Sequence, residues 1–153
     1  MPKAKGRSLF RGKKKAKRQP TTGGREPEPE EQRLLAWRMA RVDLDEEWGW
    51  RKLDAADLEQ LHRLLTEYET TPLHKLRHDE RIREIPVEDI CPEAQERLAR
   101  LEQEDIEALH ELRLGHHNWR AWGILDRSTF YFLWWDPEHT VCTGRDRARS
   151  RSR

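Results

Sequence analysis

The run STFYFLWWD, residues 128–136, constrains the fold of this chain more than any other segment. Six consecutive residues, Phe130 to Trp135, are aromatic or aliphatic. Successive side chains of an extended chain point to opposite faces of a sheet, so both faces of this strand are apolar. A half-exposed strand alternates apolar and polar residues instead. The run therefore predicts a central strand, which ends where Asp136-Pro137 begins a turn.

Two further extended segments precede this strand and complete a predicted three-stranded meander. They are HELRLG, residues 110–115, and NWRAWGILD, residues 118–126. The short connections between the three segments contain Gly115 and Asp126-Arg127-Ser128, which are residue types typical of hairpin turns. Another strand is predicted near residue 34, because Leu35, Trp37 and Met39 alternate with the residues between them.

Two helices are predicted between these strands. Asp54 is a good N-cap, Asp57 follows it in the first turn, and apolar residues recur at helical spacing from Leu58 to Tyr68, which predicts a helix over residues 55–69. Pro92 suits the first position of a second helix. The charged segment from Leu73 to Ile90 shows no clear period, so we predict mostly loop there, with one short strand near residues 82–87. The predicted class is α+β, a small antiparallel sheet packed against two helices.

Charge divides the chain into three regions. Residues 1–25 contain ten Lys or Arg and no acid, and residues 143–153 contain five Arg and one Asp, so the other 117 residues carry −13 of a total charge of +1. We expect a disordered basic tail with an acidic Pro/Glu linker at 1–32, one domain at 33–142, and a disordered Arg-rich tail at 143–153. The tails could bind RNA or another polyanion by counterion release, or fold back onto the acidic domain. The expected polyanion-binding residues are Lys13, Lys14, Lys15, Lys17, Arg18, Arg147, Arg149 and Arg151.

Composition also predicts the location and the cofactor requirement. No apolar run has the length of a secretory signal or a membrane span. Two cysteines fit a reducing compartment better than a disulfide scaffold, so we expect a cytoplasmic protein without membrane contact. Asp136, His139 and Cys142 supply half of a zinc pattern at most, because a second ligand pair is missing. We therefore expect no metal and no cofactor.

Three pieces of the sequence resemble a group of small uncharacterised bacterial proteins. They are WGWRKLDAADLEQLHRLLTEYET, ICPEAQERLARL and LRLGHHNWRAWGILDRSTFYFLWWDPEHTVC, and the group ends in a similar LWWDPxHxVC run. The order of elements is also similar to that of the RelE/ParE toxin superfamily. In its RNA-cutting members, basic residues of the meander hold phosphate and a C-terminal His or Tyr helps proton transfer. By position, the resemblance implies that Arg113, Arg120 and His139 have these roles.

Two functions follow as alternatives. The resemblance implies a RelE/ParE-like toxin or a related mobile-element protein, acting on RNA at the ribosome as a metal-independent endoribonuclease, with an antitoxin-like partner. The acidic domain favours a noncatalytic module that binds protein or nucleic acid. Most of the tryptophans fall in predicted strands and are expected in the core. Trp48 and Trp50 are flanked by charged residues, so we expect them to be partly exposed and available to a partner.

Overall fold

The meander forms the middle of a five-stranded sheet. The computed structural model describes residues 28–115 and 118–144, and within them the sheet order is β1-β5-β4-β3-β2, with three α-helices. The α+β class is confirmed. The elements are β1 (Ala36–Arg38), α1 (Ala55–Glu69), α2 (Leu73–His78), β2 (Ile82–Pro86), α3 (Pro92–Arg100), β3 (Ala108–Arg113), β4 (Arg120–Asp126) and β5 (Thr129–Asp136).

The direction of β1 differs from the prediction. β2, β3, β4 and β5 pair antiparallel, but β1 runs parallel to β5, with Trp37 opposite Phe130. The sheet is therefore mixed, because an alternating pattern shows which residues share a face and says nothing of strand direction. After Arg38 the chain leaves the sheet, and the Asp43 amide then donates to the Leu133 carbonyl at 2.9 Å.

Helix α1 confirms the predicted helix, including its first turn. The Asp57 amide donates to Asp54 Oδ1 at 2.7 Å, and the Asp54 amide donates to Asp57 Oδ2 at 3.3 Å. This reciprocal pair is a capping box, which satisfies amides that the helix leaves unpaired. Leu61 and Tyr68 are the buried residues of the helix.

The segment after α1 contains a helix that the sequence did not predict. Leu73 and Leu76 of α2 are 0% and 2% exposed. Two apolar residues in six are too few to establish a period, and the charged residues between them hide the helix. The short strand predicted near residues 82–87 is confirmed as β2, and the helix beginning at Pro92 is confirmed as α3.

Helices cover both faces of the sheet, so there are two cores. One core lies between the sheet and helices α1 and α2, and the other lies between the sheet, α3 and the segment after β5. The prediction that Trp48 is partly exposed is wrong, since it is 6% exposed in the second core, with its ring 5.3 Å from that of Trp134. Trp50 is half-buried and packs against Phe132, with ring centroids 5.2 Å apart.

The first residues of the described region contact α2. Glu30–Gln32, assigned to the linker, form a 3-10 turn that contacts α2 through the Arg77–Glu31 ion pair of 3.3 Å. None of the helices within the described ranges has the length and apolar composition needed to cross a lipid bilayer. The predicted polyanion-binding residues, Lys13, Lys14, Lys15, Lys17, Arg18, Arg147, Arg149 and Arg151, lie outside the described residues, as does most of both predicted tails.

Candidate functional site

The turn after β5 is built around the side chain of Asp136. Its carboxylate is 1% exposed and accepts hydrogen bonds from the Thr140 amide at 2.8 Å and the Val141 amide at 3.1 Å. Trp122 Nε1 donates to the same carboxylate at 3.1 Å. The predicted turn at Asp136-Pro137 is therefore confirmed, and both oxygens of Asp136 are occupied within the protein.

This turn places His139 against the end of the sheet. His139 has φ 57°, the left-handed region that residues other than glycine seldom adopt. Its Nε2 atom lies 3.5 Å from Glu111 Oε2 and is buried, although 29% of the side chain is exposed. Nε2 therefore faces the carboxylate from a buried position, while another part of the side chain is exposed.

Glu111 is the centre of a group of charged side chains that we call the Glu111 cluster: Arg83, Glu111, Arg120 and His139. The side chain of Glu111 is 0% exposed. Arg83 Nη2 donates to Glu111 Oε1 at 3.1 Å, and Arg120 Nε lies 3.4 Å from the same oxygen. A fully buried carboxylate is costly unless positive groups surround it, and here two guanidiniums lie against one of its oxygens.

Sheet register explains why these residues meet. Arg83 of β2 lies directly opposite Glu111 of β3, and Glu111 lies opposite Trp122 of β4. Arg120 is two residues before Trp122 and therefore points to the same face. His139 reaches this face from the turn after β5, because Asp136 is paired with Arg120. Four separate segments thus contribute to one end of the second core.

Arg113 lies at the edge of the cluster. It follows Glu111 by two residues on β3, so it shares the same face, and it is directly opposite Arg120. Its side chain is 39% exposed, and Glu80 is an exposed partner at 4.0 Å, the limit of an ion pair. Such surface pairs contribute little energy and exchange readily. Arg113 therefore has the most exposed side chain of the three arginines, with 30% exposure for Arg83 and 7% for Arg120, and a solvent-borne anion can reach it.

The groups around Arg120 shift the pKa of its guanidinium in opposite directions. Burial lowers the pKa of its guanidinium from the usual value, Arg113 and Arg83 act in the same direction, and Glu111 and Asp136 oppose them. Arg120 is 5% exposed and also donates from Nη1 to the Trp119 carbonyl at 2.9 Å. Its guanidinium is thus directed at the Glu111 carboxylate and at the backbone.

The three residues expected from the resemblance therefore lie at the same end of the same sheet face, with different surroundings. Arg120 and His139 both contact Glu111, and Arg113 is next to them and more exposed. Sequence reasoning missed Glu111 and Arg83. Glu111 could have been found from the sequence, because it follows Leu109 by two residues and so places a carboxylate on the apolar face of a strand. Arg83 falls in a segment without a clear pattern, so no such signal was available for it.

A third buried carboxylate, Asp43, joins the loop after β1 to α3. Asp43 accepts two hydrogen bonds of 2.8 Å from Arg97 and one of 3.1 Å from Trp134 Nε1. Burial alone would raise the pKa of Asp43, but the hydrogen bonds from Arg97, the Asp45 amide and Trp134 outweigh it, and the pKa is lowered from its usual value. Every polar contact of this pair is internal, which is typical of a structural role.

No protein-family model, curated protein or solved structure matches this chain. Within the described ranges, no group of three or more His, Cys, Asp or Glu side chains is arranged to hold a metal ion. The thiol of Cys142, which the sequence placed in half of a zinc pattern, instead donates to the Asp89 carbonyl at 3.2 Å.

Proposed function

We propose that this protein acts on RNA as a RelE/ParE-like toxin or a related mobile-element protein, and that the Glu111 cluster with Arg113 is its site. One observation carries the proposal: Nε2 of the partly exposed His139 faces the buried carboxylate of Glu111 at 3.5 Å. A histidine oriented by a carboxylate is a common arrangement for proton transfer near neutral pH. The resemblance in the order of elements supports the choice of RNA as substrate.

In this proposal each residue has a separate role. Glu111 favours the proton of His139 on Nε2, which faces Oε2 at 3.5 Å without a hydrogen bond in this structure, so Nδ1 has a lone pair to take a proton from a ribose 2′-hydroxyl. The 2′-oxygen then attacks the adjacent phosphorus and the bond to the 5′-oxygen breaks. The leaving 5′-oxygen takes a proton from water and His139 returns its proton to solvent, which leaves a 2′,3′-cyclic phosphate and a 5′-hydroxyl. Arg113 contacts the phosphate oxygens as negative charge develops on them. Arg120 acts through Glu111, since its burial makes it a positioning residue rather than a phosphate ligand.

The proposed partners follow from the two basic ends of the sequence. Residues 1–25 and 143–153 would bind ribosomal or messenger RNA through phosphate contacts, with the polyanion-binding residues named above contributing most of the charge. An antitoxin-like protein would bind the folded domain and prevent access to His139. We propose a cytoplasmic location, because ribosomes and messenger RNA are found there.

Expression of the full chain in a bacterial host and assay of the purified protein on RNA test the catalytic role. We expect growth arrest and RNA cleavage, with His139→Gln and Glu111→Gln each slowing cleavage by roughly 10² to 10⁴-fold. Arg113→Gln should weaken cleavage while the fold is retained. His62→Gln is the matched control, because His62 is an exposed histidine on α1 away from the cluster. Equal cleavage by wild type and His139→Gln, or none by wild type, would exclude the catalytic proposal.

A second candidate function is a noncatalytic module that binds RNA through its basic ends. The charge of the folded part favours it: residues 28–144 contain 27 acidic residues and 15 Lys or Arg, a net charge of −12. Several of those cations are already paired internally, including Arg97 with Asp43 and Arg100 with Glu46. An acidic body with paired cations repels a polyanion, so the ends would have to supply the affinity.

The salt dependence of RNA binding by the full chain tests this second candidate function. Replacing Lys13, Lys14, Lys15, Lys17 and Arg18 with Gln should lower the magnitude of the slope of log affinity against log salt by up to about 3.5 for single-stranded RNA. Arg113→Gln should leave the slope almost unchanged. A slope that is insensitive to the five substitutions would contradict binding through residues 1–25.

A further inference from the structure

The two cysteines of the chain lie in the same buried core, although 51 positions separate them in sequence. Cys91 is the N-cap residue of α3, and Cys142 follows the turn after β5. They are 9% and 2% exposed, and no disulfide joins them in this structure. Their position raises the question of whether they react with each other.

Backbone contacts bring the two residues side by side. The Cys91 amide donates to the carbonyl of Val141, the residue immediately before Cys142, at 2.7 Å. Standard bond lengths across that hydrogen bond keep the Cα atoms of Cys91 and Cys142 within roughly 7 Å. Disulfides span Cα separations of roughly 4.4 to 6.8 Å, so little or no backbone movement is needed.

The side chain of Cys142 also points toward the segment that carries Cys91. Its Sγ donates to the carbonyl of Asp89, two residues before Cys91, at 3.2 Å. The thiol is therefore on the α3 side of the turn rather than directed into the sheet. Backbone proximity and thiol direction are independent observations, and both favour the same pairing.

We propose that Cys91 and Cys142 are a redox pair. They form an intramolecular disulfide with each other when a low-molecular-weight disulfide such as oxidised glutathione oxidises them. The Cys91 thiolate attacks oxidised glutathione, forms a mixed disulfide and releases one glutathione thiolate. The Cys142 thiolate then attacks the Cys91 sulfur and releases the second. The protein loses two electrons and two protons, and the two glutathione molecules gain them.

Cys91 is the expected entry point because it is the more exposed of the two thiols. The disulfide would join the start of α3 to the segment that follows His139 by three residues. It would therefore restrict the turn that holds His139, whether or not His139 is catalytic. The pairing itself does not depend on the proposed function, since it can be measured on a protein with no known substrate.

The experiment equilibrates the folded wild-type protein with oxidised and reduced glutathione, quenches the thiols with acid, and measures intact mass and free thiols. We expect one species lighter than the reduced protein by two hydrogens, with no free thiol and with a Cys91–Cys142 peptide in a nonreducing digest. The thermal midpoint of the oxidised form should rise by roughly 10 °C and return on reduction. Cys91→Ala and Cys142→Ala should each show no such species.

Three results would overturn the proposal. The first is a stable glutathione adduct on one cysteine, and the second is cross-linked dimers as the main product. The third is a native protein in which both thiols stay reduced, with the disulfide forming only after denaturant is added. Because the decisive readouts use the wild-type chain, they do not depend on whether a cysteine variant folds. Loss of RNA cleavage in His139→Gln leaves the disulfide result unaffected, so the two proposals are tested separately.

Discussion

Asp43→Asn should destabilise the protein by about 3 kcal/mol at neutral pH. The substitution removes the charge that receives two 2.8 Å hydrogen bonds from Arg97, while the side chains of Asp43 and Arg97 are only 4% and 14% exposed. Breaking one partner of a buried ion pair costs roughly 3 to 5 kcal/mol, because the other charge is left without compensation. Asn retains one acceptor for Trp134 or Arg97, which places the expected loss at the lower end.

The loss of stability in Asp43→Asn should depend on pH. The pKa of Asp43 is lower in the folded protein than its ordinary value near 3.9, so its ionised form stabilises the fold above that pH. This contribution is lost as the pH falls from about 4 through the folded pKa, where Asp43 becomes protonated. Wild type and Asp43→Asn should therefore approach the same stability in acid.

Urea unfolding of both proteins between pH 7 and pH 3, followed by tryptophan fluorescence, measures the difference directly. Other carboxylates titrate equally in the two proteins, so the difference isolates Asp43. Asp45→Asn is a matched control, because Asp45 is exposed and its ion pair with Arg51 is on the surface. A constant difference from pH 7 to pH 3, or a loss below about 1 kcal/mol at pH 7, would refute the reasoning.

Three further substitutions test the packing around the sheet, each by urea unfolding. Gly123→Ala should cost about 3 kcal/mol or prevent folding, since an added Cβ would lie 2.1 Å from the Tyr131 carbonyl oxygen across the β4–β5 pair. Tyr68→Phe should cost about 1 kcal/mol, because the Tyr68 hydroxyl donates to the Arg113 carbonyl. Trp122→Phe should cost about 2 kcal/mol, since it removes the Nε1 donor to buried Asp136, and a smaller loss would show that water replaces this donor.

Local chemistry made some elements predictable from the sequence. Helix α1 is specified twice, by the Asp54–Asp57 capping box and by its apolar stripe, and both signals lie within 15 residues. Strand β5 is specified by six apolar residues in succession. The β4–β5 register is irregular at one point, because Trp122 faces Trp134 while Gly123 faces Phe132. This irregularity adds one apolar residue to the run. The extra residue, Leu133, joins the second core, and no local pattern indicates such a shift.

The candidate site was predictable only in part, because its contacts join distant segments. Arg113, Arg120 and His139 could be named from a resemblance in element order. Their common partner Glu111 is 28 residues from both Arg83 and His139, and the pairing requires the register of β2 on β3. The direction of β1 was missed for the same reason, since its parallel partner β5 lies 93 residues further along the chain, with Ala36 opposite Thr129.

The turn at residues 136–141 and the Glu111 cluster form one structural unit, which bears on any role of His139. A left-handed φ costs a residue such as His139 on the order of 1 kcal/mol, so neighbouring contacts must hold it there. Asp136 does so by accepting from the amides of Thr140 and Val141 directly after it. Trp122, which lies opposite Glu111, donates to the same Asp136 carboxylate. One tryptophan therefore lies opposite the residue whose carboxylate faces His139 and also donates to the turn that presents His139, which links the two parts of this unit.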